Sequence, residues 1–543
     1  MLYYVSTMYV EETKRKSTSG KIHSCYMLRE SYREGKRTFK KTIANISHLP
    51  AKEIEALRFA LRYKEVGIHR DDIEIETGKI IGSLRVVVEL MNRAGIMEAL
   101  GSTRQAALCA WLIFGRLIEQ GSRLSSVRLA QRHDTNILGL GQFDENDLYE
   151  ALDWLADHQE LIQQGLFKKR YGNKAPNLFL YDVSSSYLEG MDNELAWWGY
   201  NRDGKKGKQQ IVFGLLTDQE GEPIAIEVFE GNTSDQATFN ELVKGFGQRF
   251  GVKKVTFVGD RGMIKSIGID ALHEQEFFYI TAITKPQIRA LLKDGVIQLG
   301  LFDEEVAEVS SKDVRYILRR NPVRAAEMQA TRADKLEKLQ EKAKAQTEYL
   351  AAHPYASADK AQQRLQGIAK RLVIDGLVKI SMEGRKGLIE VLEKEIKKAA
   401  ELDGCYVIKT DIPSSVAGKE VIHRRYKDLA KVERGFRTIK TGLLEIRPIW
   451  LRREKRTRAH VFICMLAYLI SRKIEEVLNE SETVNDVLQQ LNRITKVDLV
   501  MDGTKVPTIP KPPPEIQHIL KRLAISIPNN IHVPSKSLVR KTA

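Results

Sequence analysis

NLFLYDVSSSYLE, at residues 177–189, is one of two stretches that decide the fold of this chain, and the other is KVTFVGDRGM, at residues 254–263. In each, an apolar run typical of a buried strand ends at an aspartate, Asp182 in the first and Asp260 in the second. A carboxylate at the end of a buried strand is held by rigid backbone at the sheet edge, which suits a metal ligand or a general base. The alternative for one such aspartate is that it caps a helix or begins a turn.

The segments around these two stretches predict the rest of a sheet. Strand-like runs lie at residues 209–218, 222–231 and 277–283, and helical patterns lie at residues 234–250 and 264–275. Three strands joined by short turns are expected to be antiparallel neighbours, whereas strands reached through helices are expected to be parallel. The order β-β-β-α-β-α-β therefore predicts a mixed α/β sheet with both aspartates at carboxyl ends of strands.

The flanking sequence predicts further regions. The segment at residues 285–400 is either a disordered polar linker or an ordered arm, namely a helical hairpin with a strand pair around residues 305–319. We favour the ordered arm because its apolar spacing persists. Residues 505–517 hold five prolines and predict an extended connection. The expected regions are an N-terminal β-hairpin region with its turn at YREGKR and with helix and loop from residue 48 (1–70), a helical region with an N-cap signal at DEND, residues 144–147 (71–173), the first part of the core (174–284), an insertion (285–400), the second part of the core (401–475) and a helical, Pro-rich tail (476–543).

Composition excludes several classes of protein. Of the 543 residues, 43% are hydrophobic and 29% are charged, which excludes a mainly disordered chain. The longest apolar run, Val461 to Ile470, reaches about half-way across a bilayer as a helix, so it predicts a core helix. The N-terminus lacks the pattern of a signal peptide, and the four cysteines fit neither a zinc site nor a disulfide framework. We therefore expect a cytoplasmic protein with no membrane partner.

The positive charge points to a polyanionic partner. The chain has 86 Lys and Arg against 71 Asp and Glu, a net charge of +15, which is typical of proteins that bind nucleic acid, anionic membranes or acidic proteins. Residues 421–473 alone contain 15 basic and 4 acidic residues. The densest cluster is Arg452, Arg453, Lys455, Arg456 and Arg458. It could be a solvated basic face, but its position beside a candidate catalytic helix favours phosphate contact.

A third acid, Glu433, lies on a long helix expected from about residue 419 to residue 442, in the stretch YKDLAKVERGFRTIKTG (residues 426–442). Tyr426, Glu433 and Lys440 are seven residues apart, so on one helix their directions differ by only about 20° per step. Arg437 lies one turn beyond Glu433 on nearly the same side. A solvated face held by i,i+4 pairs is the alternative explanation.

Phosphodiester chemistry would need this set of residues. Two Mg²⁺ ions about 3.5–4 Å apart can stabilise the attacking and leaving oxygens of such a reaction. Mg²⁺ takes oxygen ligands, so two or three carboxylates with waters suffice. Nearby lysine and arginine would hold the non-bridging phosphate oxygens.

The order strand-Asp, strand-GDRG and helix-Glu resembles the ribonuclease H-like DDE transposases of bacterial insertion sequences. In the most similar branch the Glu helix carries Tyr-x2-Arg-x3-Glu-x6-Lys. This chain has Tyr426, Glu433 and Lys440 in that pattern but Leu429 in place of Arg, for which Arg425 or Arg437 could substitute. The stretches WGYNRDGKKGKQQIVFGLL and EIRPIWLRREKRTRAHVFICMLAYLI are also similar to the family.

The resemblance implies a ribonuclease H-like core and DNA-end binding by the region at residues 71–173. The residue patterns add that this N-terminal region is helical and that the insertion before the Glu helix is largely helical, although many insertions in the family are rich in β-strands. The resemblance further implies cutting of insertion-sequence ends and strand transfer, in which Asp182, Asp260 and Glu433 hold two Mg²⁺ ions and Mn²⁺ can substitute. The implied partners are double-stranded DNA, as terminal inverted repeats and as target, and a second copy of the chain on paired ends, in the cytoplasm at the bacterial nucleoid. The residues expected at DNA phosphates are Tyr426, Arg437, Lys440, Arg261, Arg447, Arg452 and Arg453.

Three other functions remain open. A nuclease or resolvase of the same fold would share the acids, and a silenced DNA-binding protein would keep them without using them. A tyrosine recombinase built on His423, Arg424 and Tyr426 is disfavoured because that family's site residues are dispersed along the chain.

Several other residues are interpreted without a catalytic role. Asp203 and Asp235 are expected to be turn and cap residues, and His460 to be structural or a phosphate contact. The Trp197–Trp198 pair is expected to pack more readily than to stack on a base. Lys205, Lys206 and Lys208 are expected on a turn, where they touch DNA or keep the turn solvated.

Overall fold

The computed structural model describes residues 7–16, 22–34, 37–62, 73–190, 192–501 and 504–528. The strands are, in chain order, β1 (Thr7–Lys16), β2 (Ile22–Glu34), β3 (Arg37–Asn45), β4 (Ile73–Glu76), β5 (Leu178–Tyr187), β6 (Gln210–Asp218), β7 (Pro223–Glu230), β8 (Thr256–Gly259), β9 (Phe278–Ala282), β10 (Ala307–Ser311), β11 (Val314–Arg320), β12 (Val378–Glu383), β13 (Lys386–Val391), β14 (Cys405–Thr410), β15 (Val497–Met501) and β16 (Thr504–Thr508).

The α-helices alternate with these strands along most of the chain. They are, in chain order, α1 (Ala51–Arg62), α2 (Gly82–Arg93), α3 (Ile96–Leu100), α4 (Arg104–Ile118), α5 (Arg123–Arg132), α6 (Glu145–Tyr171), α7 (Asp235–Phe250), α8 (Ser266–Glu274), α9 (Lys285–Lys293), α10 (Pro322–Ala352), α11 (Ala358–Leu372), α12 (Glu393–Ala400), α13 (Lys419–Lys427), α14 (Leu429–Lys440), α15 (Glu454–Glu475), α16 (Val484–Leu491) and α17 (Pro514–Arg522).

The chain divides into two compact units. The first comprises residues 1–79, 494–512 and 528–543, and the second comprises residues 80–493 and 513–527. The first unit contains two antiparallel sheets of three strands each, β1–β2–β3 and β16–β15–β4. The expected N-terminal hairpin is present as β2 and β3, and β1 adds a strand that the sequence analysis did not anticipate. The tip of that hairpin at residues 35–36 and the expected loop at residues 63–71 lie outside the described residues.

An eight-stranded mixed sheet forms the centre of the second unit, in the order β10-β11-β14-β9-β8-β5-β6-β7. Strands β5, β6 and β7 are antiparallel neighbours, whereas β8 runs parallel to β5 and β9 runs parallel to β8. This is the mixed, ribonuclease H-like α/β arrangement expected from the sequence. The connection between β5 and β6 is not the short turn that we expected, because it extends from Leu188 to Gln209.

The alternation of side chains along the central strands assigns each residue to one of two layers. On β5, Phe179, Tyr181 and Val183 join an apolar core that includes Phe239 and Phe246 of α7. Asp182 and Ser184 therefore point to the opposite face, where α14 packs. There, Phe436 of α14 contacts Phe213 of β6 with ring centroids 5.5 Å apart.

A close approach fixes α14 on the sheet. A Cβ atom at Gly435 would lie 3.2 Å from both the Leu215 and the Tyr468 side chains, so glycine keeps the helix near the sheet and near α15. The long helix expected from residue 419 to residue 442 is in fact two helices, α13 and α14, which meet at Asp428.

Helices α2 to α6 form the expected helical region, in which α2, α4 and α6 pack against α15. Helix α6 begins at the predicted signal, since Asp144 accepts hydrogen bonds from the backbone nitrogens of Asn146 and Asp147. Residues 461–470 of α15 are buried throughout, which agrees with the expected core helix. Within the described residues, no helix has the length and apolar character needed to cross a bilayer.

The segment before the Glu helix is an ordered arm, as favoured over a disordered linker. Helices α10 and α11 pack with the hairpin β12–β13 around a small core that contains Leu339, Ala369 and Val378. The expected strand pair is present as β10 and β11, but it extends the central sheet through β14. The proline-rich segment is less irregular than expected, because it contains β16 and the start of α17.

Candidate active site

The sheet register brings Asp182 and Asp260 side by side. Tyr181 and Gly259 are paired on the parallel strands β5 and β8, and each aspartate follows its paired residue directly. Neighbouring strands lie about 4.8 Å apart, so the two carboxylates emerge next to each other. Asp260 follows the last residue of β8, as expected, whereas β5 continues beyond Asp182 to Tyr187.

Helix α14 brings the third acid to the same place. Asp182, Asp260 and Glu433 together line a cavity of about 440 Å³, and the same three residues line an adjacent cavity of about 410 Å³. Asp260 and Glu433 are exposed, while Asp182 is partly buried beneath them. The structure therefore gathers the three acids, which lie far apart in the sequence, around one cleft.

The electrostatics of this cleft favour a cation. The pKa of Asp182 is raised to about 7, mainly by burial and further by the nearby carboxylates of Asp260 and Glu433, while the backbone nitrogen of Val183 and the charge of Arg202 oppose the rise. A divalent ion in the cleft would stabilise the charged form of Asp182 beside the other two carboxylates. Carboxylate oxygens are the ligands that Mg²⁺ and Mn²⁺ prefer.

The cleft is not a closed metal cage. In the part of the chain that the structure describes, no group of three or more His, Cys, Asp or Glu side chains is arranged so that it could hold a metal ion. Mg²⁺ is usually held by one or two carboxylates together with waters and substrate phosphates. The adjacent carboxylates of Asp182 and Asp260 therefore fit such an open site, with Glu433 across the cleft.

Tyr426 orients one of the aspartates. Its hydroxyl donates a hydrogen bond of 3.2 Å to Oδ1 of Asp260, which also accepts a 2.7 Å bond from the backbone nitrogen of Arg261. Burial and the charge of Asp260 raise the pKa of Tyr426, so the phenol stays protonated and remains a donor. Although α13 and α14 are separate helices, Tyr426, Glu433 and Lys440 all face the cleft, as the seven-residue spacing predicts.

Lys440 lies at the other end of the cleft beside a carboxylate that the sequence analysis missed. Its Nζ atom lies 2.6 Å from Oδ1 of Asp203 and 3.2 Å from Oγ of Ser184. Asp203 also forms an ion pair with Arg447 and accepts a bond from the backbone nitrogen of Tyr187. Asp203 lies on a turn, as expected, but its side chain is also only 1% exposed and binds two cations, a role that the sequence did not indicate.

Local sequence contained no signal for this role, because the partners of Asp203 are more than two hundred residues away. The neighbouring Arg202 donates a 2.6 Å bond to Asp235, and both residues line the smaller cavity. Asp235 is the first residue of α7, and the helix is capped by Ser234, so the expected cap is displaced by one residue.

The other residues expected at phosphates fall into two groups. Arg261 and Arg437 are exposed and line the cavity with the acids. Arg452 and Arg453 are exposed at the start of α15, where Arg452 lies 3.9 Å from Asp192. Leu429 stands where the family has arginine and lines the larger cavity.

Much of the dense basic cluster is used inside the protein. Arg456 forms a two-pronged ion pair with Asp153 of α6, and Lys455 lies 2.6 Å from Asp157 of the same helix. Arg458 is paired with Glu454 of the same helix and also donates a hydrogen bond to the carbonyl of Val228 on β7. The expectation that the whole cluster contacts phosphate is not supported, because three of its five members fasten α15 to its surroundings.

The remaining singled-out residues have clear places. His460 is buried, with Nδ1 at 3.2 Å from Arg123 and Nε2 at 3.3 Å from the carbonyl of Ile446, which supports the structural role. Trp197 and Trp198 are 48% and 56% exposed, so the expectation that they pack is not supported. Lys208 is paired with Glu189, whereas Lys205 and Lys206 are exposed.

Comparison with known proteins adds two family matches. Residues 174–470, which include all three acids, match the family model described as a transposase DDE domain. Residues 10–68 match the model described as the N-terminal domain of IS1634 family transposases. No curated protein matches the chain. Among solved structures, the cryo-EM structure of a piggyBac transposase synaptic complex with hairpin DNA is similar over 71% of this chain and 69% of its own, with 7% sequence identity and a TM-score of 0.36.

Proposed function

The chain belongs to the family of insertion-sequence DDE transposases, and from that premise we propose that Asp182, Asp260 and Glu433 are its catalytic acids. Membership makes it a DNA transposase, an enzyme that cleaves and transfers DNA strands with divalent metal ions. The observation that carries the assignment is that these three acids border one cleft, with Asp182 and Asp260 on adjacent parallel strands in register. The ions that fit this cleft are two Mg²⁺, with Mn²⁺ able to substitute.

The reaction has two steps, and each breaks a phosphodiester bond. In the first, water attacks a phosphorus at the end of the element, the bond to the 3′ oxygen breaks, and a free 3′-hydroxyl remains. In the second, that hydroxyl attacks a phosphorus of the target, a new P–O bond joins the two DNAs, and a 3′-hydroxyl of the target leaves. When bound, the metal ions would stabilise the charge that develops on the attacking and leaving oxygens.

The side chains around the acids would position the DNA. Arg261 and Arg437, which line the cleft and are exposed, would hold non-bridging oxygens of the scissile phosphate. Lys440, held by Asp203 and Ser184, would present its ammonium group to the same phosphate. Tyr426 keeps Asp260 turned towards the cleft through its hydroxyl. Arg437 takes the place left by Leu429, because it borders the acids.

The partners follow from the reaction. The substrate is double-stranded DNA, as the terminal inverted repeats of the element and as the target. Joining two ends in one event requires two active sites, so a homodimer on paired ends is the expected assembly. The exposed Arg452 and Arg453 would lie along the backbone of this DNA. The expected location is the cytoplasm, at the nucleoid.

The decisive experiment separates transposition from its two rivals. A duplex carrying the element's own ends is incubated with the protein and Mg²⁺ or Mn²⁺, and a second reaction contains a pre-cut end and a target plasmid. Cleavage together with joining of the pre-cut end is the expected result. Cleavage without joining would identify a nuclease or resolvase, and binding without either reaction would identify a silent DNA-binding protein.

A further inference from the structure

The N-terminal sheet β1–β2–β3 has a face that is covered by helix α1. Arg58 of α1 donates a 3.3 Å bond to Glu12 of β1, and its guanidinium lies over the ring of Tyr26 of β2, 5.3 Å from the centroid. Glu12 and Tyr26 are direct partners in the strand register. Val10 and Leu28, two residues further along, are also partners and therefore share this face.

The opposite face is polar and basic. Side chains alternate along strands, so the residues next to those under α1 point the other way. Arg29 and Lys40 share the single carboxylate of Glu11, at 2.9 and 3.8 Å, and Arg33 has no ion pair with any residue that the structure describes. We call this the basic face. From residue 29 to residue 42 its members on the hairpin β2–β3 are Arg29, Ser31, Arg33, Thr38, Lys40 and Thr42, and Tyr9 and Met27 share the face.

The basic face has the dimensions and the side chains of a surface that binds DNA in a sequence-dependent way. The major groove of B-DNA is about 12 Å wide and admits two paired strands, which lie about 4.8 Å apart. Arginine, lysine, serine and threonine are side chains that bind base edges and phosphates there. Residues 7–45 contain ten Lys and Arg against four Glu, so the charge also complements DNA. Every residue of β3 is exposed, which leaves this edge of the hairpin accessible.

The helical region is less suited to reading DNA, because its helices are used in packing. Residues 108–117 of α4 are buried without a break, and α6 is tied to α15 by the ion pairs of Asp153 and Asp157. A recognition helix would need a long exposed face for the groove.

We propose that the β2–β3 hairpin enters the major groove of the terminal inverted repeat and reads its sequence through the basic face. This inference rests on the proposed function, since it takes DNA ends as the substrate. It goes beyond it by assigning sequence recognition to a β-sheet of the first unit and not to the helices of the second.

Adjacent lysines provide a matched test. Lys40 and Lys41 are neighbours on β3 and both exposed, but they point to opposite faces, since Lys40 pairs with Ser31 and Lys41 pairs with Glu30. Binding of the full chain to a duplex with the inverted repeat and to a scrambled duplex is measured in EDTA. Arg33→Ala and Lys40→Ala are each expected to lower affinity for the repeat about tenfold and to reduce its preference over the scrambled duplex. Lys41→Ala removes the same charge and is expected to weaken both duplexes equally.

A second measurement reports the groove directly. Dimethyl sulfate methylates guanine N7, which lies in the major groove, so the wild-type protein and Lys41→Ala should protect guanines of the repeat and Lys40→Ala should not. An unchanged preference for the repeat in the Arg33→Ala/Lys40→Ala double variant, or equal loss of preference in Lys41→Ala, would overturn the proposal. Because these measurements need no metal, they remain decisive whether or not the protein cleaves or joins DNA.

Discussion

Asp203 and Lys440 meet at 2.6 Å although more than two hundred residues separate them in the chain. The same oxygen of Asp203 also binds Arg447, so one buried carboxylate is shared by two cations, one at the end of the Glu helix and one just beyond it. The pair holds the ammonium group of Lys440 against Ser184, two residues from Asp182 on the same strand. Asp203 is therefore a positioning residue for the phosphate-binding end of the cleft.

Replacing Asp203 by Asn should damage both activity and stability. It would leave the partly buried Lys440 and Arg447 without their counter-charge, and breaking a buried ion pair in this way costs about 3–5 kcal/mol. We expect at least a tenfold loss of kcat in end cleavage, with KM for the DNA little changed, and a lower melting temperature. Asp192→Asn, which alters an exposed acid near Arg452, is the control. A normal kcat in Asp203→Asn would show that Lys440 needs no such support.

The three acids should be individually indispensable. Asp182→Asn, Asp260→Asn and Glu433→Gln each remove a negative charge from the cleft while keeping the shape of the side chain. We expect each to abolish Mg²⁺-dependent cleavage and to leave DNA binding in EDTA largely intact. Asp270→Asn, an exposed acid on α8, serves as the matched control. Full cleavage by any one of the three variants would remove that residue from the site.

The basic cluster should separate into binding and structural members. Arg453→Ala is expected to weaken DNA binding, with a salt dependence reduced by about one phosphate contact, and to leave the melting temperature unchanged. Arg456→Ala is expected to lower the melting temperature, because the guanidinium of Arg456 forms an ion pair with Asp153 and lies 4.7 Å from the ring centroid of Tyr149. Equal effects of both variants on DNA binding would contradict this division.

Acid should destabilise the protein through buried histidines. Burial lowers the pKa of His423 to about 4, and burial together with Arg116 and Arg123 holds the pKa of His460 well below its usual value. The unfolded chain protonates these rings near pH 6.5 and the folded protein does not, so stability is present above that pH and is lost as pH falls towards 4.

The measurement is the melting temperature between pH 7.5 and 5 in EDTA. A fall of a few degrees is expected, with a shallower slope in His423→Gln. Asp182 acts in the opposite sense, since its raised pKa adds stability that is lost as pH rises through about 7. The comparison with His423→Gln therefore isolates the histidine contribution, and an unchanged slope in that variant would refute it.

The features of the site that were predictable depend on short-range patterns. Apolar runs that end at Asp182 and Asp260 predicted both strands, whereas the direct adjacency of β5 and β8 is found in the sheet order of the structure. The seven-residue spacing of Tyr426, Glu433 and Lys440 gave their common face, and the break at Asp428 does not disturb it. These are local properties of strands and helices, which the sequence displays directly.

The features that were missed depend on contacts between distant segments. The role of Asp203 is created by Lys440 and Arg447, and the basic residues of α15 are occupied by acids of α6 some three hundred positions earlier. Nothing near Asp203 or Arg456 in the sequence marks those partners. Likewise, β1 was missed because its mixed polar residues show only weak alternation.

The root of the insertion has a consequence for how such enzymes diversify. Arg320 ends β11 and Cys405 begins β14, and these two residues are direct partners in the ladder. Just outside them, the backbone nitrogen of Asn321 donates to the carbonyl of Gly404, where a Cβ atom would come within 2.3 Å of Asn321. The residues between Arg320 and Cys405 therefore leave and rejoin the central sheet at a single pair of neighbouring residues. Insertions of different length and architecture can therefore be exchanged at this position during evolution without a change in the strands that carry the catalytic acids.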